Sequence, residues 1–253
     1  MRFMIVTKRQ IMIFTAFLLV ISFAVLTGRA QGTNKKMPIY CVKTNEKKVA
    51  LSFDAAWGNS DTEILIEILG KYNTKATFFV VGEWVDKYPE SVKQLSTAGH
   101  SIQNHSATHP HMTKLSGAQM MDELQTCNEK IAAITGKAPK LFRCPYGEYD
   151  NAVIDTVLSV GMQTIQWDID SRDWKKDYTT EKIVNGILKH VKNGSIILFH
   201  NDAANTPKAL PIVLDKLAAQ GYSFELIEDM ILYDNYTFDN AGMQAPKNAP
   251  DGQ

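Results

Sequence analysis

No sign of charge predominates in this chain. Its 27 lysines and arginines balance 27 aspartates and glutamates, for a formal net charge of +0. That excludes nucleic-acid binding driven by bulk electrostatics, and no Lys/Arg run is long enough to build a basic patch, so no nucleic-acid partner is expected. Cysteine is scarce. Cys41, Cys127 and Cys144 are odd in number, which excludes a complete disulfide framework, and their spacing resembles no zinc knuckle. They read as free or buried thiols. No linker or low-complexity stretch divides the chain, so one continuous globular unit is expected. Long hydrophobic runs are also wanting. The longest, IMIFTAFLLVISFAVL from Ile11 to Leu26, is short of the about 20 residues of a spanning helix.

What is present begins with that run. Arg2, Lys8 and Arg9 precede it and the small residues of TGRAQG follow it. Basic, apolar, then small is the layout of a secretory signal. Two outcomes stand for residues 1–30: cleavage after Ala30, with Gly28 at the other small position, or retention as an N-terminal membrane anchor. Both leave the basic side in the cytoplasm and export the domain, secreted or held on the outer face of the membrane.

Residues 31–47 form a polar lead-in. From there short β-like runs alternate with helical patterns. VALSFDA (49–55), ATFFVVG (76–82), SIQNHS (101–106), KLFRCPYG (140–147), MQTIQWDID (162–170), SIILFHN (195–201) and YSFELI (222–227) read as strands. Helices are expected between them, one opened by a capping box at Ser60–Glu63 and others stopped by Gly99, Gly136, Gly161 and Gly221. About seven βα repeats imply a parallel sheet, and functional residues should gather at the C-terminal ends of its strands. The domain spans 48–236, and the tail at 237–253, rich in Asn, Pro and Gly, is expected to be loose.

Five short motifs carry chemistry. HSATHP places His105 and His109 four residues apart, close enough to share one metal ion, and neutral imidazole is a common zinc ligand. SFDAAWG ends a strand on Asp54. RCPYG carries Arg143, Pro145 and Tyr146. WDIDSRDW carries Asp168, Asp170, Asp173 and Trp174. ILFH carries Leu198 and His200. His111 should point away from the histidine pair, His100 should pack or cap, and His190 should be solvated at a helix end.

In this order and spacing the motifs resemble those of the polysaccharide deacetylases (the NodB homology domain, carbohydrate esterase family four), over about residues 48–227. The resemblance implies a distorted (β/α)7-type barrel and a metal-dependent deacetylation. It makes Asp54 the general base, Arg143 the group that keeps it ionised, the Tyr146 backbone N–H an oxyanion donor and Pro145 the residue fixing that turn. His200 becomes the general acid, with Leu198 lining an acetyl pocket and Trp174 walling the sugar cleft. One of Asp170 and Asp173 orients His200, Asp170 being favoured. The chain departs from the family at one point. The T-F-D-D-G pattern has a second aspartate as metal ligand, and here that position is Ala55. A divalent metal, zinc by ligand type, is then held by His105 and His109 and held weakly, with Asp54, Asn59 or water as substitutes; Cys144 is a remoter one.

The implied reaction removes acetyl from an N-acetylated sugar. The FDxxWG form of the first motif is similar to that of sporulation-associated deacetylases of spore-forming Gram-positive bacteria, which points to peptidoglycan. Chitin oligosaccharides and ester-acetylated xylans present related chemistry. A different class is implied by the loss at Ala55: a glycan-binding or structural wall or spore protein without activity. Nothing in the sequence speaks to oligomeric state.

Overall fold

The computed structural model describes residues 35–247; the expected leader at 1–30 lies outside them. Among the described residues no helix is long and apolar enough to cross a membrane. The strands are β1 (Cys41–Val42), β2 (Lys48–Ala55), β3 (Thr77–Val80), β4 (Ser101–Asn104), β5 (Leu141–Phe142), β6 (Gln163–Thr164), β7 (Ile169–Asp170), β8 (Ile196–His200), β9 (Ser223–Glu225), β10 (Tyr236–Phe238) and β11 (Met243–Pro246). Eight of them form one sheet in the order β6-β5-β4-β3-β2-β8-β7, with β9 added beside β2. Every pairing in it is parallel. The helices are α1 (Thr62–Lys71), α2 (Gly82–Lys87), α3 (Pro89–Thr97), α4 (Gly117–Thr135), α5 (Asn151–Ser159), α6 (Thr180–His190), α7 (Thr206–Ala219) and α8 (Ile227–Met230). The result is a curled, parallel (β/α)7-type half-barrel: the parallel sheet that the alternation implies, in the barrel-like form that the family resemblance implies.

Strand alternation sorts the side chains into two layers. Along β2, Val49, Leu51 and Phe53 pack toward the helices, where Phe53 stacks on Phe78 at 4.8 Å and on Phe199 at 5.4 Å. Ala50 belongs to the opposite layer with Phe79, Leu141 and Ile196. Ser52 and Asp54 follow Ala50 on that inner face, and Leu198 and His200 follow Ile196. The period of two thus delivers Asp54 and His200 together, since β2 and β8 pair in register at Asp54↔His200.

Three expectations need correction. The Ser60–Glu63 capping box does not form: α1 has Asp61 as its N-cap without a side-chain cap bond. Ser60 Oγ instead donates to the Asp202 carboxylate across the site. The single strand expected at 162–170 is two, because Ile165 turns aside to bridge Ile39 and the Asp168 carboxylate accepts from Ser195 Oγ and Ile196 N. The tail is not loose up to residue 246. β10 and β11 form a hairpin, and β11 pairs in parallel with β1 of the lead-in. The buried Gln244 side chain exchanges two bonds with the Leu232 backbone, and Phe238 packs on the inner core. A single buried amide and one aromatic anchor a segment whose composition reads as solvated.

Candidate active site

Asp54 is set at the end of β2 and buried. Arg143 Nη1 donates to its Oδ1 at 2.7 Å, while Nη2 donates to Ser52 Oγ at 2.9 Å and to the Gln166 carbonyl at 3.2 Å. The guanidinium is 0% exposed and lies 4.1 Å from the Phe79 ring centroid. A cation so enclosed, with its fork spread over three oxygens, has a fixed direction. Burial works to raise the Asp54 pKa, but Arg143 first, then His105 and His200, outweigh it and hold the carboxyl below its ordinary value. Asp54 is therefore ionised, with Oδ2 the oxygen left facing the cleft.

His105 follows β4 and is buried. Its Nδ1–H donates to the Arg143 carbonyl at 2.8 Å, which leaves the Nε2 lone pair free and 3.6 Å from Asp54 Oδ2. The His109 ring stands edge-on to it at 4.9 Å. Burial lowers the pKa of both, His109 to about 4. Both imidazoles are neutral at physiological pH, the form that binds metal. The donor set is nevertheless incomplete. Among the described residues no group of three or more His, Cys, Asp or Glu side chains is arranged to hold a metal ion, and a catalytic zinc takes three protein ligands. Ala55 is buried among apolar side chains, the Asn59 amide donates to Ser91 Oγ, and Cys144 lies in an apolar cluster with Met112 and Phe142. Of the substitutes, Asp54 alone lies beside the histidines.

His200 ends β8. Its Nδ1–H donates to Asp173 Oδ1 at 2.8 Å, and its backbone N–H donates to Asp173 Oδ2 at 2.8 Å. Thr206 Oγ1 donates to the same Oδ2 at 2.6 Å. The carboxylate that orients the histidine is thus Asp173 and not the favoured Asp170. The loop explains the exchange: Asp170 Oδ1 accepts the Arg172 N–H at 2.8 Å as an Asx turn, and Arg172 takes a left-handed φ of 56°, so that Asp173 folds inward. Burial would lower the His200 pKa, but the Asp173 bond and charge, with Asp54 and Asp170, raise it above the ordinary imidazole value.

A cleft of about 380 Å³ joins these groups. It is lined by Asp54, His105, His109, Tyr146, Asp170, Trp174, Leu198 and His200, together with Ala56, Trp57, Gly147 and Trp167. Nearly the whole set expected from the motifs meets in one place, with Arg143 and Asp173 directly behind it. Pro145 starts the turn on which Tyr146 takes a left-handed φ of 59°. The Tyr146 ring stacks on His111 at 4.3 Å and meets His109 at 4.6 Å, so His111 buttresses the rim and stays out of the histidine pair. His100, on the other side of the sheet, packs on Phe78 and accepts the Ala76 N–H. His190 is exposed in the last turn of α6.

The motifs assign Trp57 no role. Its ring lies 5.6 Å from that of His200, and 54% of it is exposed in the cleft mouth. The turn beneath it is locked. A Cβ on Gly58 would meet Asp202 Oδ2 at 2.2 Å, and the Gly58 carbonyl accepts from Trp84 Nε1 at 2.8 Å and from the Asn201 amide. Ser52, Gln166 and Thr206 were also missed. The WG dipeptide was the one available signal.

A family model for polysaccharide deacetylases matches residues 42–165. The peptidoglycan-N-acetylmuramic acid deacetylase PdaA of Bacillus subtilis is 34% identical over 76% of this chain and 74% of its own length. The peptidoglycan-N-acetylglucosamine deacetylase of Bacillus cereus is 34% identical over 76% of this chain and 92% of its own. The chain spans 60%, 74% and 92% of three curated relatives. Among solved structures, wild-type BA3943 of Bacillus anthracis, described as a CE4 family pseudoenzyme, superposes with a TM-score of 0.74 at 34% identity, covering 76% of this chain and 68% of that one. A mutant of BA3943 is described as having restored enzymatic activity. Site geometry, matched motifs and these likenesses together place the chain in the polysaccharide deacetylase family, carbohydrate esterase family four, hydrolases that act on amide bonds.

Proposed function

We propose that this protein is an exported N-deacetylase that hydrolyses the acetamide of N-acetylated amino sugars in cell-wall polysaccharide, with peptidoglycan as the glycan. The observation that carries the reading is the opposed pair across one cleft: Asp54 kept ionised by Arg143, and His200 biased toward its protonated form by Asp173. Amide hydrolysis needs a base for water and an acid for the departing nitrogen. Asp54 Oδ2 takes the proton of an attacking water. The Tyr146 backbone N–H donates to the carbonyl oxygen as it becomes tetrahedral. His200 Nε2 gives its proton to the amine as the C–N bond breaks. Leu198 bounds the acetyl methyl, Trp174 and Trp57 flank the sugar, and the products are acetate and a free amino sugar.

Members of the family are metal-dependent in general. The cation this reading carries would be divalent, zinc by its affinity for imidazole, and would be held by His105 and His109 with Asp54 or water in place of the missing aspartate, and so held weakly. Export rests on the basic, apolar, small order of residues 1–30, and the protein is placed outside the cytoplasmic membrane, free or anchored.

The incomplete donor set, and the pseudoenzyme among the structural neighbours, favour a second reading: a glycan-binding wall protein without turnover. Acetate release from peptidoglycan and from chitin oligosaccharides separates the two. Each glycan is assayed after chelation and after re-addition of zinc or cobalt, with His105→Ala as control. Release restored by metal and missing from the control is the expected result. A folded protein that binds glycan and releases no acetate under any metal would sink the deacetylase reading.

A further inference from the structure

Beside the catalytic cleft lies a second groove of about 480 Å³ that shares Trp57 and Trp174 with it. A sugar between the two indoles therefore has a neighbouring substituent or residue in this groove. Its polar lining is Asp173, Lys175, Lys176, Asn201, Asp202 and Asn205. The two carboxylates are already engaged: Asp173 accepts from His200 and Thr206, and Asp202 accepts from Ser60. The Asn205 amide donates to the Tyr178 carbonyl, and the Asn201 amide to the Gly58 carbonyl. The lysines are different. Among the described residues neither Lys175 nor Lys176 has a carboxylate partner. The Lys175 ammonium lies 5.3 Å from the Trp174 ring centroid. Asp173 is charge-paired with His200 while Asp202 keeps its charge, so the two uncommitted lysines leave the groove with an excess of positive charge, complementary to an anion.

We infer that the Lys175–Lys176 groove selects acetamido sugars bearing a carboxylate substituent, such as the lactyl group of a muramic acid residue, over uncharged acetamidoglucose chains. This rests on the deacetylase reading of the neighbouring cleft but is tested by binding, without turnover. The probes are chitotetraose, a muramic-acid-containing tetrasaccharide with free lactyl carboxylates, and the same tetrasaccharide as its methyl ester. Affinity is read from quenching of tryptophan fluorescence in the full chain at low and at physiological salt. The acid form should bind about fivefold tighter than the ester or chitotetraose, with the margin shrinking as salt rises. Lys175→Gln/Lys176→Gln should erase that margin and leave chitotetraose affinity unchanged. The single variants Lys175→Gln and Lys176→Gln keep the test available if the double variant fails to fold. Equal affinity for acid and ester, or a margin that survives the lysine substitutions, overturns the inference while leaving deacetylation untouched. A lysine-dependent margin in a protein that releases no acetate supports the selection and removes the deacetylase reading instead.

Discussion

The two sides of the cleft solve opposite problems with similar parts. On the base side a carboxylate must stay charged where burial disfavours charge, and it does so against the enclosed Arg143. On the side of the proposed acid an imidazole must hold its proton more firmly than a free one, and the buried Asp173 raises its pKa. The difference lies in what stands behind each pair. Arg143 is gripped by Ser52, the Gln166 carbonyl and Phe79, all within the inner layer of the sheet. Asp173 is held by a loop and by the first residue of α7, Thr206. The pair around the proposed base is thus held within the sheet, whereas the partner of the proposed acid comes from the connections. Breaking the first should cost stability as well as chemistry; breaking the second should cost chemistry first.

The sharpest break is Arg143→Met. It leaves a buried carboxylate unpaired, which costs about 3–5 kcal/mol, and the expected outcome is a large fall in the urea midpoint together with loss of acetate release. Asp54→Asn removes the base and should lower acetate release by about 10²–10⁴-fold with glycan binding retained, general-base assistance being of that size. Asp173→Asn should lower release by about tenfold or more through a mis-set His200. The matching Asp170→Asn should change it little, and a reversal of that order would restore Asp170 as the orienting residue. The pH profile follows from the two shifts. With Asp54 below its ordinary value, the acid limb of activity should fall below the usual carboxylate range of about 3.9. With His200 raised, the alkaline limb should lie above about 6.5. Asp173→Asn should move only the alkaline limb, downward.

Stability should carry the same signs. The Asp54 contribution is present above its unfolded value and lost as pH falls through the lower folded one. The His200 contribution is present below its unfolded value and lost as pH rises through the higher folded one. Thermal melts across pH read both. The smallest effect expected is that of Gly58→Ala, which must displace either the Asp202 carboxylate or the turn carrying Trp57; a fall in glycan affinity with an intact melting transition is the outcome that checks it.

Most of the site was legible because it is written in strand parity. Asp54 and His200 each end a run whose alternation can be followed residue by residue, and the parallel register of β2 and β8 does the rest. What escaped depends on contacts no local pattern encodes. Asp170 and Asp173 are indistinguishable by composition; a left-handed Arg172 and an Asx turn decide between them. Trp57 reaches His200 because Gly58 admits Asp202, a residue far along the chain. The tail failed for the reverse reason: its average composition is polar, and one amide, Gln244, outweighs the average.

That hairpin carries a kinetic consequence. Pairing Cys41 with Met243 closes a loop of about 200 residues. Closure over such a span is among the costliest contacts to form early, so it belongs to the end of folding. A ribosome releasing this chain N-terminus first must therefore leave β1 without its β11 partner until almost everything else has been made, with Ser195 as the earlier neighbour of Cys41, and the seam that joins the two ends of the domain is sealed last.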